Sequence, residues 1–188
     1  MLSITGGDYK GRKIETTSRM VTRYTPQMTR KAFFDIINVE GKVFLDLFAG
    51  SGIMGIEALS RGAWKAVFVD SSRLACGTIK RNLKLLRIPP DDFELYCRDF
   101  RRAFPHFQAK GIEYEVVFAD PPFEKGYLDE LLKNLIRYDF VIKGGIVVIE
   151  APEKSEMLIE KYTSNSKLRF IDARKYAGVY LYFMKVVM

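Results

Sequence analysis

Asp120, Pro121, Pro122 and Phe123 place a carboxylate, two consecutive prolines and an aromatic ring in one short stretch. The run Glu115-Val116-Val117-Phe118-Ala119-Asp120 leading into it reads as a strand. Adjacent prolines cannot continue a hydrogen-bonded ladder, so they hold the following turn stiffly extended. Stiffness suits a place where a carboxylate and a backbone carbonyl have to be aimed. An amino group on an aromatic ring is a poor nucleophile, because its lone pair is delocalised. Two acceptors, the Asp120 carboxylate and the Pro121 carbonyl, can take both of its N–H hydrogens. They would favour a more tetrahedral nitrogen and stabilise the positive charge that forms as a methyl group arrives. A sulfonium donor brings its own leaving group, so such chemistry calls for in-line alignment and neither a metal nor a covalent intermediate. Phe123 can stack on a base turned out of structured nucleic acid, returning about 1–3 kcal/mol against the cost of extrusion. Taken alone, the stretch reads equally well as a strand terminator with Phe123 in the core.

A second constellation lies upstream, in Asp46-Leu47-Phe48-Ala49-Gly50-Ser51-Gly52. Here a strand ends and a helix begins within a few residues. Glycines let the backbone pass closely under a ligand, and the helix that follows offers unpaired N–H groups. Asp70 ends the next strand, where a carboxylate can accept from two ribose hydroxyls. Asp99, after the third strand, is placed to accept from an adenine amino group, although a helix cap is the commoner use of such a residue. The same loop spells Gly50-x-Gly52-x-x-Gly55, the nicotinamide-dinucleotide fingerprint, so a dehydrogenase-like site is a fair rival. Asp46 weighs against it. A carboxylate there would face a pyrophosphate badly but suits the cationic methionine end of S-adenosylmethionine. Phe48, Ala49, Gly50, Ser51 and Gly52 complete the expected cofactor loop.

These residues need a scaffold that brings strand ends together, and the rest of the chain supplies the pattern for one. Lys42–Asp46, Lys65–Val69, Phe93–Tyr96, Glu115–Ala119 and Gly145–Ile149 read as strands. Helical stretches are expected at Ser51–Ser60, Ser72–Leu86, Gly126–Tyr138 and Pro152–Tyr162. Such alternation predicts an α/β fold with a mostly parallel sheet covered on both faces. Leu168–Arg174 and Gly178–Val186 break the rhythm and predict an antiparallel hairpin closing the sheet. Seven strands with a terminal hairpin is the Rossmann-like architecture of class I S-adenosylmethionine-dependent methyltransferases. The amino-terminal part differs. Ser3–Thr5 and Arg12–Thr16 flank a glycine-rich turn, and a helix is expected from Pro26 with Thr25 as its cap. Phe33, Phe34, Ile36 and Ile37 would form its apolar face. Residues 1–40 are therefore read as an extension and residues 41–188 as the core, within one domain.

Composition bounds the partners. The 188 residues are 48% hydrophobic with a formal charge of +7. Residues 1–31 carry Lys10, Arg12, Lys13, Arg19, Arg23, Arg30 and Lys31 against Asp8 and Glu15. Residues 73–87 add Arg73, Lys80, Arg81, Lys84 and Arg87 with no acid, whereas residues 113–160 are acidic. This polarity leaves a polyanion-binding face and an ordinary solubilising surface about equally open. A lone histidine, His106, argues against a histidine-based metal site or triad, so no metal is expected. Cys76 and Cys97 are expected to be reduced and buried. With no apolar run of membrane length and no signal-peptide pattern, a cytoplasmic protein independent of membranes is expected.

The residues resemble the RsmD family of bacterial 16S ribosomal RNA guanine-N2 methyltransferases. The likeness begins at Ile4-Thr5-Gly6-Gly7 and Lys10-Gly11-Arg12-Lys13, and continues through Arg23-Tyr24-Thr25, Arg30 and Phe34. It takes in Asp46–Gly52, the stretch Gly55–Ala63, Phe118–Phe123 and Lys175-Tyr176-Ala177-Gly178. Arg23-Tyr24-Thr25 and Gln27-Met28 depart from the family's usual Arg-Pro-Thr and Asp-Arg. The resemblance implies methylation of N2 of guanine 966 in 16S rRNA, on a partly assembled small subunit, and a monomer is expected. It also implies an RNA-facing amino-terminal hairpin, with Arg12, Lys13, Arg23 and Arg30 as candidate phosphate contacts. A DNA adenine or cytosine amino-methyltransferase shares the Asp-Pro-Pro-aromatic logic and remains an alternative, as does a dinucleotide-binding module.

Overall fold

The structure, a computed structural model, describes residues 1–17, 25–123 and 126–188. Its elements begin with β1 (Leu2–Ser3), β2 (Lys13–Ile14) and α1 (Gln27–Ile36). The alternating core follows as β3 (Val43–Leu47), α2 (Ile53–Ser60), β4 (Lys65–Asp70), α3 (Arg73–Leu86), β5 (Phe93–Cys97), α4 (Phe100–Ala109), β6 (Tyr114–Ala119), α5 (Tyr127–Arg137) and β7 (Val141–Ala151). It ends with α6 (Glu156–Thr163), β8 (Leu168–Tyr176) and β9 (Val179–Val186).

The main sheet has the order β5-β4-β3-β6-β7-β9-β8, with β9 antiparallel to both of its neighbours and the other pairs parallel. This is the doubly wound sheet with a closing hairpin expected from the sequence. Parallel strands must be buried on both faces, and side-chain alternation divides them accordingly. Phe44, Ala66 and Phe68 point into one core with Phe33 and Ile56. Leu45, Leu47, Val67 and Val69 point into the other with Phe104, Phe107 and Leu131.

Two elements differ from the sequence pattern. Helix α4 has no counterpart among the expected helices, because Pro105 stands inside it. Phe100, Ala103, Phe104 and Phe107 nevertheless recur at helical spacing and are all buried, which offsets the backbone bond that proline removes. Strand β7 starts at Val141, ahead of the expected Gly145, and carries Gly144-Gly145 within it beside a register shift against β6. Thr25 does not cap α1. Pro26 occupies the cap position without a side-chain bond, and the Thr25 carbonyl instead accepts from Arg30 Nη1 at 2.7 Å.

The amino-terminal segment packs Ile4, Ile14 and Phe33 into the first core and is fastened to α2 by polar groups as well. Gly7 adopts φ +75°, and a Cβ there would collide with the Ser60 carbonyl at the end of α2. That carbonyl accepts from Asp8 N at 2.8 Å, while Ser60 Oγ accepts from Tyr9 N at 2.9 Å. Beside it, Glu57 is fully buried on α2. Its carboxylate accepts from Arg30 Nε at 3.4 Å, from Arg61 Nη2 at 3.1 Å, and from both the amide and the hydroxyl of Thr5. Arg30 in turn donates to Ser3 O at 2.7 Å. Removing one partner of a buried pair strands the other charge. Glu57→Ala is therefore expected to cost about 3–5 kcal/mol by urea denaturation, with most of the loss recovered in Glu57→Leu/Arg30→Met.

Candidate functional site

Strand order reverses at β3, which pairs with β4 on one side and β6 on the other. In open α/β sheets the crevice beyond the carboxyl ends at such a point is where ligands bind. Here it is an open cleft of about 330 Å³ lined by Phe48, Val69, Asp70, Ser71, Arg98, Asp99, Phe100, Pro122 and Tyr127.

The loop after β3 forms its floor. Phe48, Gly50 and Gly52 all take positive φ, which turns the chain sharply from strand to helix. The third glycine of the fingerprint, Gly55, lies against the Phe68 ring, where any Cβ would collide. Ala49 N donates to Val69 O at 3.1 Å, tying the loop to β4. Ser51 and Gly52 are buried, and the Ser51 carbonyl accepts from Asn82 Nδ2 at 2.9 Å.

Two carboxylates bracket this loop. Asp46 is buried beneath it and accepts from Gly55 N at 2.9 Å. Asp70 accepts from Gly50 N and from Ser72 N, each at 2.8 Å. Burial pushes the Asp46 carboxyl well above the usual carboxylate range; the Gly55 amide opposes that rise and the nearby Asp70 charge adds to it. Asp70 is raised too, by burial first, with the Ser72 and Gly50 amides working against the shift. Gly50 thus gives its amide to Asp70 rather than presenting it to an anion. Asp70 lines the cleft and Asp46 lies buried beneath the loop, so a positive charge bound here would relieve both carboxyls, whereas a pyrophosphate would find no free loop amide at Gly50.

Aromatic rings make the walls. Phe48 meets Phe100 at 5.2 Å and Tyr127 at 6.2 Å between centroids. The Arg101 guanidinium lies 5.3 Å from both Phe100 and Tyr127, and bridges Asp99 and Glu130 at 3.1 Å each. Asp99 is at once a cleft residue and the cap of α4, accepting from Arg101 N at 2.9 Å. Asp120 follows β6 directly, half-buried, with its amide 3.4 Å from Leu47 O. Pro121 is buried, Pro122 reaches the cleft, and Phe123 is 37% exposed rather than packed in the core.

The structure therefore brings Phe48, Asp70 and Asp99 to one cleft, with the Asp120–Phe123 turn at its edge. Arg98, Phe100 and Tyr127 are wall residues missed in the sequence; Arg98 and Phe100 carried a signal, a basic and an aromatic residue just beyond β5, whereas Tyr127 opens α5 and carried none. Three expectations are corrected or fall outside the description. Arg30 is 1% exposed and committed to Glu57, Thr25 and Ser3, so it holds the fold together and is not at a phosphate-contacting surface. Cys76 and Cys97 are joined in a disulfide rather than reduced, because the first turn of α3 and the end of β5 meet at the carboxyl edge, and only Cys76 is buried. Arg23 lies outside the described residues. Arg12 and Lys13 are exposed.

The family described as "Conserved hypothetical protein 95" matches residues 2–185. The chain belongs to this family, the RsmD family. It is 33% identical over 158 residues to the putative rRNA methyltransferase YlbH of Bacillus subtilis, covering 83% of this chain and 85% of that one. Ribosomal RNA small subunit methyltransferase D of Escherichia coli K12 is 29% identical over 153 residues, covering 80% and 74%. A hypothetical protein from Thermus thermophilus superposes with a TM-score of 0.81 at 26% identity, covering 99% of this chain and all of that one. Among the described residues no helix is long and apolar enough to cross a membrane.

Proposed function

We propose that this RsmD-family chain transfers a methyl group from S-adenosylmethionine to N2 of a guanine in 16S rRNA, the family's guanine 966. The substrate would be a small-subunit assembly intermediate in the cytoplasm, and the enzyme a monomer. The observation that carries the reading is the meeting of two features at one sheet edge. A carboxylate-floored cleft opens beside the Asp120-Pro121-Pro122-Phe123 turn. The kinship with a putative rRNA methyltransferase and with a small-subunit rRNA methyltransferase supports the choice of substrate.

The residues of the cleft and of the loop beneath it fit the cofactor by their chemistry. Asp46 and Asp70 favour a cation, Gly50 and Gly52 leave the floor clear, and Asp99 with the Phe48, Phe100 and Tyr127 rings suits a flat heterocycle bearing an amino group. Asp70 engages two backbone amides and retains acceptor capacity for hydroxyls. When bound, S-adenosylmethionine supplies an electrophilic methyl group and its own leaving group. The chain's part is positional. The Asp120 carboxylate and the Pro121 carbonyl hold the guanine amino group, and Phe123 stacks on the extruded base.

Separation of roles tests this. Asp120→Ala should lower transfer by about 10²–10³-fold while cofactor affinity holds. Asp70→Ala should weaken cofactor binding by about 1–3 kcal/mol, read by calorimetry. Equal loss of both properties in Asp120→Ala would move that residue into the cofactor site. Nucleoside mapping of ribosomal RNA from cells lacking the protein should show one missing N2-methylguanosine; a missing methyladenosine would defeat the base assignment.

Protonation offers an independent check against a dinucleotide. Because Asp46 and Asp70 are raised, the native protein holds more protons than the unfolded chain, and this lowers stability as pH climbs through the carboxylate range. A cationic ligand pulls both groups back down. Its binding should release protons, and its affinity should rise with pH across that range. Calorimetry in buffers of different ionisation enthalpy measures the sign, and proton uptake would favour an anionic ligand.

A further inference from the structure

The two basic stretches, separated by some forty residues in sequence, are neighbours in space. Arg12 Nη2 donates to Leu85 O at 3.1 Å, which seats the β1–β2 turn on the last turn of α3. Glu15 pairs with Arg81 at 2.8 Å, and Asn82 exchanges two hydrogen bonds with the backbone of Glu15. Lys10, Arg12 and Lys13 thereby adjoin the exposed side of α3.

That side is a continuous stripe. Arg73, Gly77, Lys80 and Lys84 follow one another at spacings of three or four residues, which keeps them on one helix face, and Arg87 follows as the left-handed residue that ends the helix. The four charged members are exposed and have no ion-pair partner among the described residues. The helix is about 21 Å long; Lys80 and Lys84 stand about 5–6 Å apart, and Arg73 stands two turns, about 10 Å, from Lys80. Its first turn lies at the catalytic edge, where Ser72 caps α3 and also donates its amide to Asp70.

Gly77 marks the middle of the stripe. Glycine inside a helix costs about 1 kcal/mol relative to alanine. Packing does not demand it, since a Cβ at this position would meet only an Arg81 nitrogen at 3.5 Å. A bare backbone between Arg73 and Lys80 is what close approach of another molecule requires.

We infer that the outer face of α3, from Arg73 past Gly77 to Arg87 and on to the β1–β2 turn, is a track for the RNA sugar–phosphate backbone leading to the catalytic edge. The inference rests on the reading of the protein as an rRNA methyltransferase and adds where the substrate lies. An RNA backbone fits better than an acidic protein surface because the charge is of one sign and extended along the whole helix. Arg81 is engaged by Glu15, so the contacts fall to Lys80, Lys84, Arg87 and Arg73.

The test compares the full-length wild type with Lys80→Ala/Lys84→Ala/Arg87→Ala and with a control, Lys110→Ala/Lys143→Ala/Lys185→Ala. The control removes equal charge from exposed positions elsewhere. Binding to 16S rRNA is measured across a salt series, together with cofactor affinity and thermal midpoint. Each lost phosphate contact lowers the salt slope by about 0.7–0.9, so the α3 variant should lose roughly 2 to 3 in slope and about tenfold or more in affinity. Cofactor affinity should stay unchanged, and the control should behave as wild type. Gly77→Gln, which keeps the charge, should also weaken RNA binding without lowering thermal stability.

An unchanged slope in the α3 variant, with wild type still binding and methylating, overturns the track and leaves the enzymatic reading intact. Wild-type binding of naked RNA by a variant that fails only on assembled subunits would assign the face to a ribosomal protein and defeat the inference. If wild type neither binds nor methylates RNA, the enzymatic reading falls and the track with it.

Discussion

Taking a glutamate carboxylate wholly out of water costs several kcal/mol unless its lone pairs are answered. Glu57 is at 0% exposure, and its answers come from three parts of the chain: Arg30 on α1, Arg61 at the end of α2, and Thr5 after β1. Because α2 also carries the loop that floors the cleft, the same ion cluster sets the hairpin, the first helix and the cofactor loop relative to one another. The rings of Phe33 and Phe34 fill the apolar space around it, and Arg61 lies 4.9 Å over Phe34.

A second constraint acts at the cleft itself. Parallel strands leave their carboxyl ends on one edge, and the reversal at β3 opens a gap there. One carboxylate held above its usual range, Asp70, lines that gap and another, Asp46, lies buried beneath its floor, a costly arrangement for the protein alone. Such perturbed groups in a crevice are where function is sought. Rigidity comes from around them. Arg101 pins α4 to α5, and the Cys76–Cys97 bridge joins α3 to β5.

Much of this was legible in the residues. Strand and helix alternation is a periodic signal, and it led to the sheet, its closing hairpin and the loop at Asp46–Gly52. Asp70 and Asp99 could be placed because each follows a strand. What escaped were features set by contacts distant in sequence. Pro105 hid α4, since only the burial of Phe100, Phe104 and Phe107 outweighs it. Arg30 looked like a surface cation because nothing local announces a buried glutamate twenty-seven residues on. The pairing of Cys76 with Cys97 needed the fold to bring them together. Tyr127 joins the cleft from α5 for the same reason.

Asn82 has a further consequence. Fully buried on α3, its side-chain amide serves Glu15 as a neighbouring strand would, receiving that residue's N–H and giving a hydrogen to its carbonyl. Its remaining hydrogen goes to the Ser51 carbonyl. All three bonds end on main chain, so they ask nothing of the side chains at positions 15 and 51. Evolutionary drift at those two positions is therefore tolerated as far as this clasp is concerned, while position 82 bears the whole demand. Aspartate there would bring no hydrogens to give, and glutamine would overreach by a methylene. In a lineage of such proteins, asparagine at 82 should outlast the residues it holds.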